Sequence, residues 1–196
     1  MIFNRVLKDQ NELLCSDYDI VARTRQNKNA FTSVIHRYEA PLFQYILFQI
    51  ASDDLTMRNL LQEIFINAYI YLNDYDNSIP FSSWIFRVAH KEILSFSHQN
   101  KGVSANQTLK DDHFPCRAII NALQLTPEEE IKYASSDLQE AVNRLESKCR
   151  DVIVLKYMLE KTEKELSDIL EIHEDVVTTL LSIAEKELKK LLEQIQ

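Results

Sequence analysis

Apolar positions recur at helical steps through most of the chain, and they mark out the elements. Over 17–50, Ile20 and Val21 begin a short helix, and Phe31, Val34, Ile35, Tyr38, Leu42, Tyr45, Ile46 and Gln49 then follow a 3.6-residue period. Asn29 is placed as the N-cap of this second helix. Pro41, inside it, predicts a kink near 37–41 or a break, because proline removes one backbone bond and crowds the preceding turn. Asp53 and Asp54 supply a cap and N-terminal negative charge for a helix from about Leu55. On it Leu60, Leu61, Ile64, Phe65, Ala68, Tyr69 and Leu72 share one buried stripe, which leaves Arg58, Asn59, Gln62, Glu63 and Asn67 opposite. Composition makes 73–78 a loop, and Pro80 is placed as the first residue of a helix that Phe81, Trp84 and Phe86 open.

From Ser97 to about Ser135 the period fades and a polar stretch with Gly102, Pro115 and Pro127 reads as a linker, with a short helix at 117–123. Beyond it, Leu138, Ala141, Val142 and Leu145 make one helix, and Val152, Ile153, Leu155 and Tyr157 a second. Thr162 caps a third, with Glu165 completing a capping box, and a last helix runs from about Glu174 to the end. The short separation at 171–173 has the spacing of a helix-turn-helix. The expected architecture is all-α, two small helical domains at 1–98 and 136–196 joined by a linker at 99–135. A single Gly and four Pro support it, since tight β-turns need more of both.

Composition narrows the function. The chain has 196 residues, 45% hydrophobic and 27% charged, which suits a soluble globular protein. Neither a signal sequence nor a run of roughly 20 apolar residues occurs, so no membrane insertion is expected and the cytoplasm is the expected location. Cys15, Cys116 and Cys149, odd in number and far apart, fit reduced thiols. His113 and Cys116 lack a second ligand pair at matching spacing, so a metal is not expected. With no phosphate loop, no HExxH and no nucleophile with its base, the sequence argues for neither an enzyme nor a cofactor. The net charge of -8 is spread: Lys and Arg against Asp and Glu number 9 to 11 over 1–100, 3 to 5 over 101–130 and 10 to 14 over 131–196. No segment carries the basic footprint usual in nucleic-acid binders.

The order of parts resembles a known family. The stretches AFTSVIHRYEAPLFQYI, NLLQEIFINAY and PFSSWIFRVAHKEIL, followed by RLESKCRDVIVLKYMLEKTEKELSDILEI, are similar to regions 2 and 4 of the extracytoplasmic-function sigma factors of the sigma-70 family. The resemblance implies a sigma factor that binds core RNA polymerase and directs promoter recognition and melting. It implies docking on the β′ clamp helices by Arg58, Asn59, Gln62, Glu63 and Asn67, with Asn59 where the family often has Asp. Tyr75, Phe81, Trp84 and Phe86 become candidates for stacking an unpaired base of the minus-10 element, and Arg87, His90 and Lys91 for its phosphates. Trp84 also shares the buried stripe of its helix with Ile85 and Val88, and a core role is the preferred reading of it. An anti-sigma factor or a co-regulator is the further partner implied.

Two departures from the family pattern bear on DNA binding. After Leu94 the chain reads SFSHQNK where the family has a basic run. In the last helix Leu180, Ile183 and Glu185 replace arginines, and Glu174 and Asp175 stand at the entrance that would face DNA. Glu171 occupies a turn position usually given to glycine, which predicts an altered turn. His173, Val177, Thr178, Thr179, Leu180 and Ile183 are the candidate surface for the minus-35 element or for a partner. Val177, Leu180, Leu181, Ile183, Ala184, Leu188, Leu191 and Leu192 make an apolar stripe wider than a three-helix core needs. Partner contact explains it, and so does packing of Leu180 and Ile183 on the linker or on the first domain. The alternative function is therefore a sigma-like interaction module that binds polymerase or an anti-sigma factor without reading a minus-35 element.

Overall fold

The structure is a computed structural model that describes residues 16–50, 52–99, 116–123, 125–126, 133 and 135–195. These hold nine α-helices, and no strand occurs among the described residues. The first four are α1 (Asp17–Gln26), α2 (Phe31–Gln49), α3 (Asp54–Ile70) and α4 (Phe81–Gln99). A short α5 (Cys116–Ala122) follows, then α6 (Ser135–Arg144), α7 (Ser147–Ile153), α8 (Glu163–Leu170) and α9 (Glu174–Ile195). Single 3-10 turns join α1 to α2 and extend α3 through Tyr71–Asp74.

Capping decides several boundaries. Ser16 starts α1 by accepting from the Asp19 amide at 3.2 Å, and Asp53 starts α3 by accepting from the Thr56 amide at 3.0 Å. Asn29 does not cap α2. The Asn27 side chain instead accepts from the Asn29 amide at 3.0 Å, and a 3-10 turn over Lys28–Ala30 leads into the helix without a side-chain cap. Nor does Pro41 break α2, which is continuous across it: the fully buried Leu42, Tyr45 and Ile46 just beyond hold both halves of the helix on one core. Pro80 sits one position earlier than expected, ahead of α4, and its carbonyl accepts from the Trp84 amide at 3.0 Å. Asn73 and Asp74, expected in a loop, close the 3-10 turn.

The stripe on α3 is buried at Leu60, Leu61, Ile64, Phe65 and Ala68, but Tyr69 is exposed, at the margin of the face, with its ring 5.1 Å from that of Phe31. In the second half, α7 runs on into a five-residue π-helical stretch, Val154–Met158. It carries five consecutive buried residues, Asp151, Val152, Ile153, Val154 and Leu155, so this turn is covered on every side. The capping box at Thr162 is complete: Thr162 Oγ1 accepts from the Glu165 amide and the Glu165 carboxylate accepts from the Thr162 amide.

The helices fall into two groups, α1–α4 and α6–α9, and one continuous apolar core runs through both; α5, with Ile119 fully buried, packs on the π-helical stretch. The seam between the groups lies chiefly where α8 packs on α4, with the π-helical stretch against α2. Cys149 is a buried free thiol whose pKa burial raises. Cys15, His113 and the Cys116 side chain lie outside the described residues. No described helix is long and apolar enough to cross a membrane.

Candidate functional site

The outward face of α3 is the most open candidate surface. Asn59, Gln62 and Glu63 are exposed, Asn67 is half-buried, and Arg58 is exposed but engaged. Its guanidinium bonds the Asp54 carboxylate at 2.7 Å and lies 5.3 Å from the Phe43 ring centroid. Leu55, Ile66 and Ile70, 68%, 57% and 58% exposed, stand among these polar residues. Sequence reasoning missed them although the signal was there: 55, 59, 62, 66 and 70 recur at steps of three and four on the side away from the core. The face thus sets exposed apolar side chains among its polar ones along the length of the helix.

The aromatic candidates divide by burial. Tyr75 and Phe81 are 6% and 3% exposed and are not available to a base. The Tyr75 hydroxyl donates to the Ile79 carbonyl at 2.8 Å, and Arg25 donates to the Leu72 and Tyr75 carbonyls, so the loop after α3 closes over its own ring. Phe81 meets Tyr38 edge-on at 5.7 Å and stacks on Trp84 at 5.4 Å. Phe86 is also buried. Trp84 is only half-buried, packed against the core as expected yet with part of its ring outside.

Arg87, His90 and Lys91 lie together on α4, but Arg87 and Lys91 face the second group of helices and His90 bonds within the first. Arg87 Nε donates to the Asp168 carbonyl at 2.7 Å, and its Nη1 lies 3.2 Å from the Glu171 carboxylate. Lys91 Nζ meets the other oxygen of the same carboxylate at 2.7 Å, and these neighbours hold Glu171 below the usual carboxylate range. His90 is buried, with Nδ1 2.9 Å from the Tyr45 hydroxyl. Burial, with a smaller contribution from Lys91, lowers its pKa to about 4. A neutral, covered imidazole makes no phosphate contact, so His90 as placed here is a structural residue.

Glu171 corrects the expectation of an altered turn. It adopts the left-handed conformation, φ 56° and ψ 41°, that a glycine would take there, and the helix-turn-helix keeps its path. On α9, Val177 is fully buried with Leu181, Ala184, Leu188 and Leu192 and belongs to the core, not to the candidate surface. Thr178 and Thr179 are exposed and bonded, Thr178 to Glu163 at 2.9 Å and Thr179 to the Asp175 carbonyl at 2.8 Å. His173 is exposed beside Asp175. Leu180 is half-buried, and Ile183 is 50% exposed, covered by neither the linker nor the first group among the described residues. Val176, a turn before Leu180, is exposed as well.

Two bundles in this order, the second ending in a helix-turn-helix, are the parts of a sigma factor. Residues 35–102 match the family model for Sigma-70 region 2, and residues 135–188 that for Sigma-70, region 4. The chain belongs to the sigma-70 family. Within it, the chain is 25% identical over 183 residues to the ECF RNA polymerase sigma factor SigW of Bacillus subtilis (strain 168), covering 86% of this chain and 92% of that one. To SigM of the same organism, another ECF sigma factor, it is 27% identical over 158 residues, 81% and 92% of the two chains. It is an RNA polymerase sigma factor of the extracytoplasmic-function type. The fold is shared with CnrH, solved with the cytosolic domain of CnrY (TM-score 0.66, 18% identity, 92% of this chain and 99% of that one). It is shared too with the sigma factor RpoE of Bartonella quintana, solved with the anti-sigma factor NepR (TM-score 0.57, 16% identity, 83% and 96%).

Proposed function

We propose that this sigma factor docks on the β′ clamp helices of core polymerase through the outward face of α3, and that Glu63 supplies the charge and Asn59 and Gln62 the hydrogen bonds of that contact. The observation that carries this reading is the open amphipathic face itself: exposed Asn59, Gln62 and Glu63 set among exposed Leu55, Ile66 and Ile70, with no other described element over them. Promoter melting falls to the loop after α3 and to α4, where the partly exposed Trp84 ring is the stacking surface and Arg87 and Lys91 meet phosphates once they are released. The protein acts in the cytoplasm by binding, without catalytic residues of its own. Because CnrH and RpoE were solved with protein partners, an anti-sigma factor or similar inhibitor is proposed as a further partner.

A second reading has a specific observation behind it. The exposed side of α9 shows Val176, Thr179 and Ile183 beyond an entrance of Glu174 and Asp175, a surface that repels phosphates and offers apolar contact. On that reading region 4 recruits a protein and does not read a minus-35 element. Run-off transcription with core polymerase tests both. Promoter-specific transcripts that require the chain support the sigma function, core binding without initiation supports the interaction module, and failure to bind core or any anti-sigma factor removes both.

A further inference from the structure

The two cations Arg87 and Lys91 and the turn that covers them make a unit that the sigma function does not by itself require. Glu171 follows the last residue of α8 in a left-handed conformation that a side chain disfavours and glycine takes freely. What the glutamate adds at that position is its carboxylate, placed between Arg87 at 3.2 Å and Lys91 at 2.7 Å on α4. The same turn offers the Asp168 carbonyl to Arg87 Nε at 2.7 Å. A carboxylate held by a guanidinium and an ammonium presents the charge and acceptor geometry that a phosphate would present to them.

Elsewhere the seam is open to solvent. A cleft of about 390 Å³ lies between Tyr38, Pro41 and Phe86 on one side and Met158, Glu160 and Lys161 on the other.

We infer that Glu171 is an internal substitute for a DNA phosphate, a latch that holds region 4 against region 2 by occupying Arg87 and Lys91, and that nucleic acid opens the chain by taking those cations. The second clause rests on the promoter reading of α4; the latch itself does not. In this state the chain is closed and its melting face is occupied by its own acidic turn.

A charge swap on the full chain tests it. Small-angle scattering at low salt should show a larger radius of gyration for Glu171→Lys, which sets three cations together, and a return toward the wild-type value when Lys91→Glu is added. A Glu171→Lys chain as compact as wild type, or an expansion that Lys91→Glu leaves in place, overturns the latch. Glu171→Gly removes the carboxylate and suits the backbone, so it should keep the wild-type melting temperature and bind a fluorescein-labelled single-stranded oligonucleotide about fivefold more tightly, as the loss of two partly exposed ion pairs allows. Wild-type affinity in that variant would show that Glu171 does not compete with phosphate. If Glu171→Lys opens the chain and no variant, wild type included, binds the oligonucleotide, the latch holds and the promoter reading of α4 falls.

Discussion

Helices α3 and α4 are neighbours in one bundle, and their outward faces have opposite fates. On α3, Asn59, Gln62, Glu63, Ile66 and Ile70 lie exposed, and the one cation, Arg58, is occupied locally by Asp54 on the previous turn. On α4, Arg87 is bonded to α8, His90 is buried against Tyr45 of α2, and Lys91 is tied to a carboxylate from the other half of the chain. Both faces carry residues suited to binding, so residue type does not separate them. Accessibility does. The face proposed to meet polymerase is ready in the free chain, whereas the face proposed to meet DNA is engaged from within, an order that suits a protein recruited to polymerase before it touches a promoter.

The first prediction goes where the comparison is easiest to break. Glu63→Lys reverses an exposed charge on the open face of α3, and it should weaken binding to core polymerase at least thirtyfold, the equivalent of about 2 kcal/mol for an interfacial charge. Fluorescence anisotropy of labelled chain against core measures it. Because Glu63 is outside the core, the melting temperature should stay at the wild-type value. Undiminished affinity would mean that α3 is open for some other reason, and the contrast with α4 would lose its functional meaning.

What the sequence disclosed and what it hid follow the same line. The helices, the capping box at Thr162 and the buried stripes of α3 and α9 were legible because a 3.6-residue period and side-chain caps are local properties. The family was legible from the order of two such bundles. Three things were not. The polar reading of α3 passed over Leu55, Ile66 and Ile70, since an apolar residue among polar ones is easily assigned to no face at all. Tyr75 and Phe81 were candidates for base contact by type, but their burial depends on Tyr38 and Arg25, far away in sequence. The engagement of Arg87 by α8 joins positions 81 residues apart, which no pattern within a helix can register. Glu171 looked like a poor choice for its turn until its two partners were in view.

The second prediction sharpens the covered side of the comparison. Asp151, on α7, is buried in the seam region, and burial raises its pKa from 3.8 to about 7, with Arg150 and then the Gln49 amide offsetting only part of that cost. In the unfolded chain the group has lost its proton above about 4, so the stability it contributes is full below that value, falls as pH rises, and is gone above about 7. His90 runs the other way: its folded pKa of about 4 lies below the ordinary 6.5, so its contribution is present above 6.5 and lost as pH falls toward 4. Between about 4 and 6.5 the two slopes oppose each other. Asp151→Asn removes one of them. Its gain over wild type should grow from near zero at pH 4 to roughly 2 to 4 kcal/mol above pH 7, and the variant should then show the rise of His90 uncovered. Urea unfolding at several pH values measures both, and a gain that does not change with pH would place the Asp151 carboxyl in contact with solvent.

The smallest effect concerns the helix that does the covering. Thr162 and Glu165 satisfy two backbone donors at the start of α8, and Leu166 and Ile169, both buried, anchor the rest of it. Thr162→Ala should cost about 1 kcal/mol, the usual value of an N-cap. If the cap fixes where α8 begins, the loss should appear first as faster hydrogen exchange at the amides of Glu165 and Leu166, with α3 amides unaffected, because α8 lies against α4. Equal protection in wild type and variant would assign the start of α8 to the packing of Leu166 instead. The cover over α4 would then be held by apolar burial and by Glu171, with the capping box contributing no more than local order.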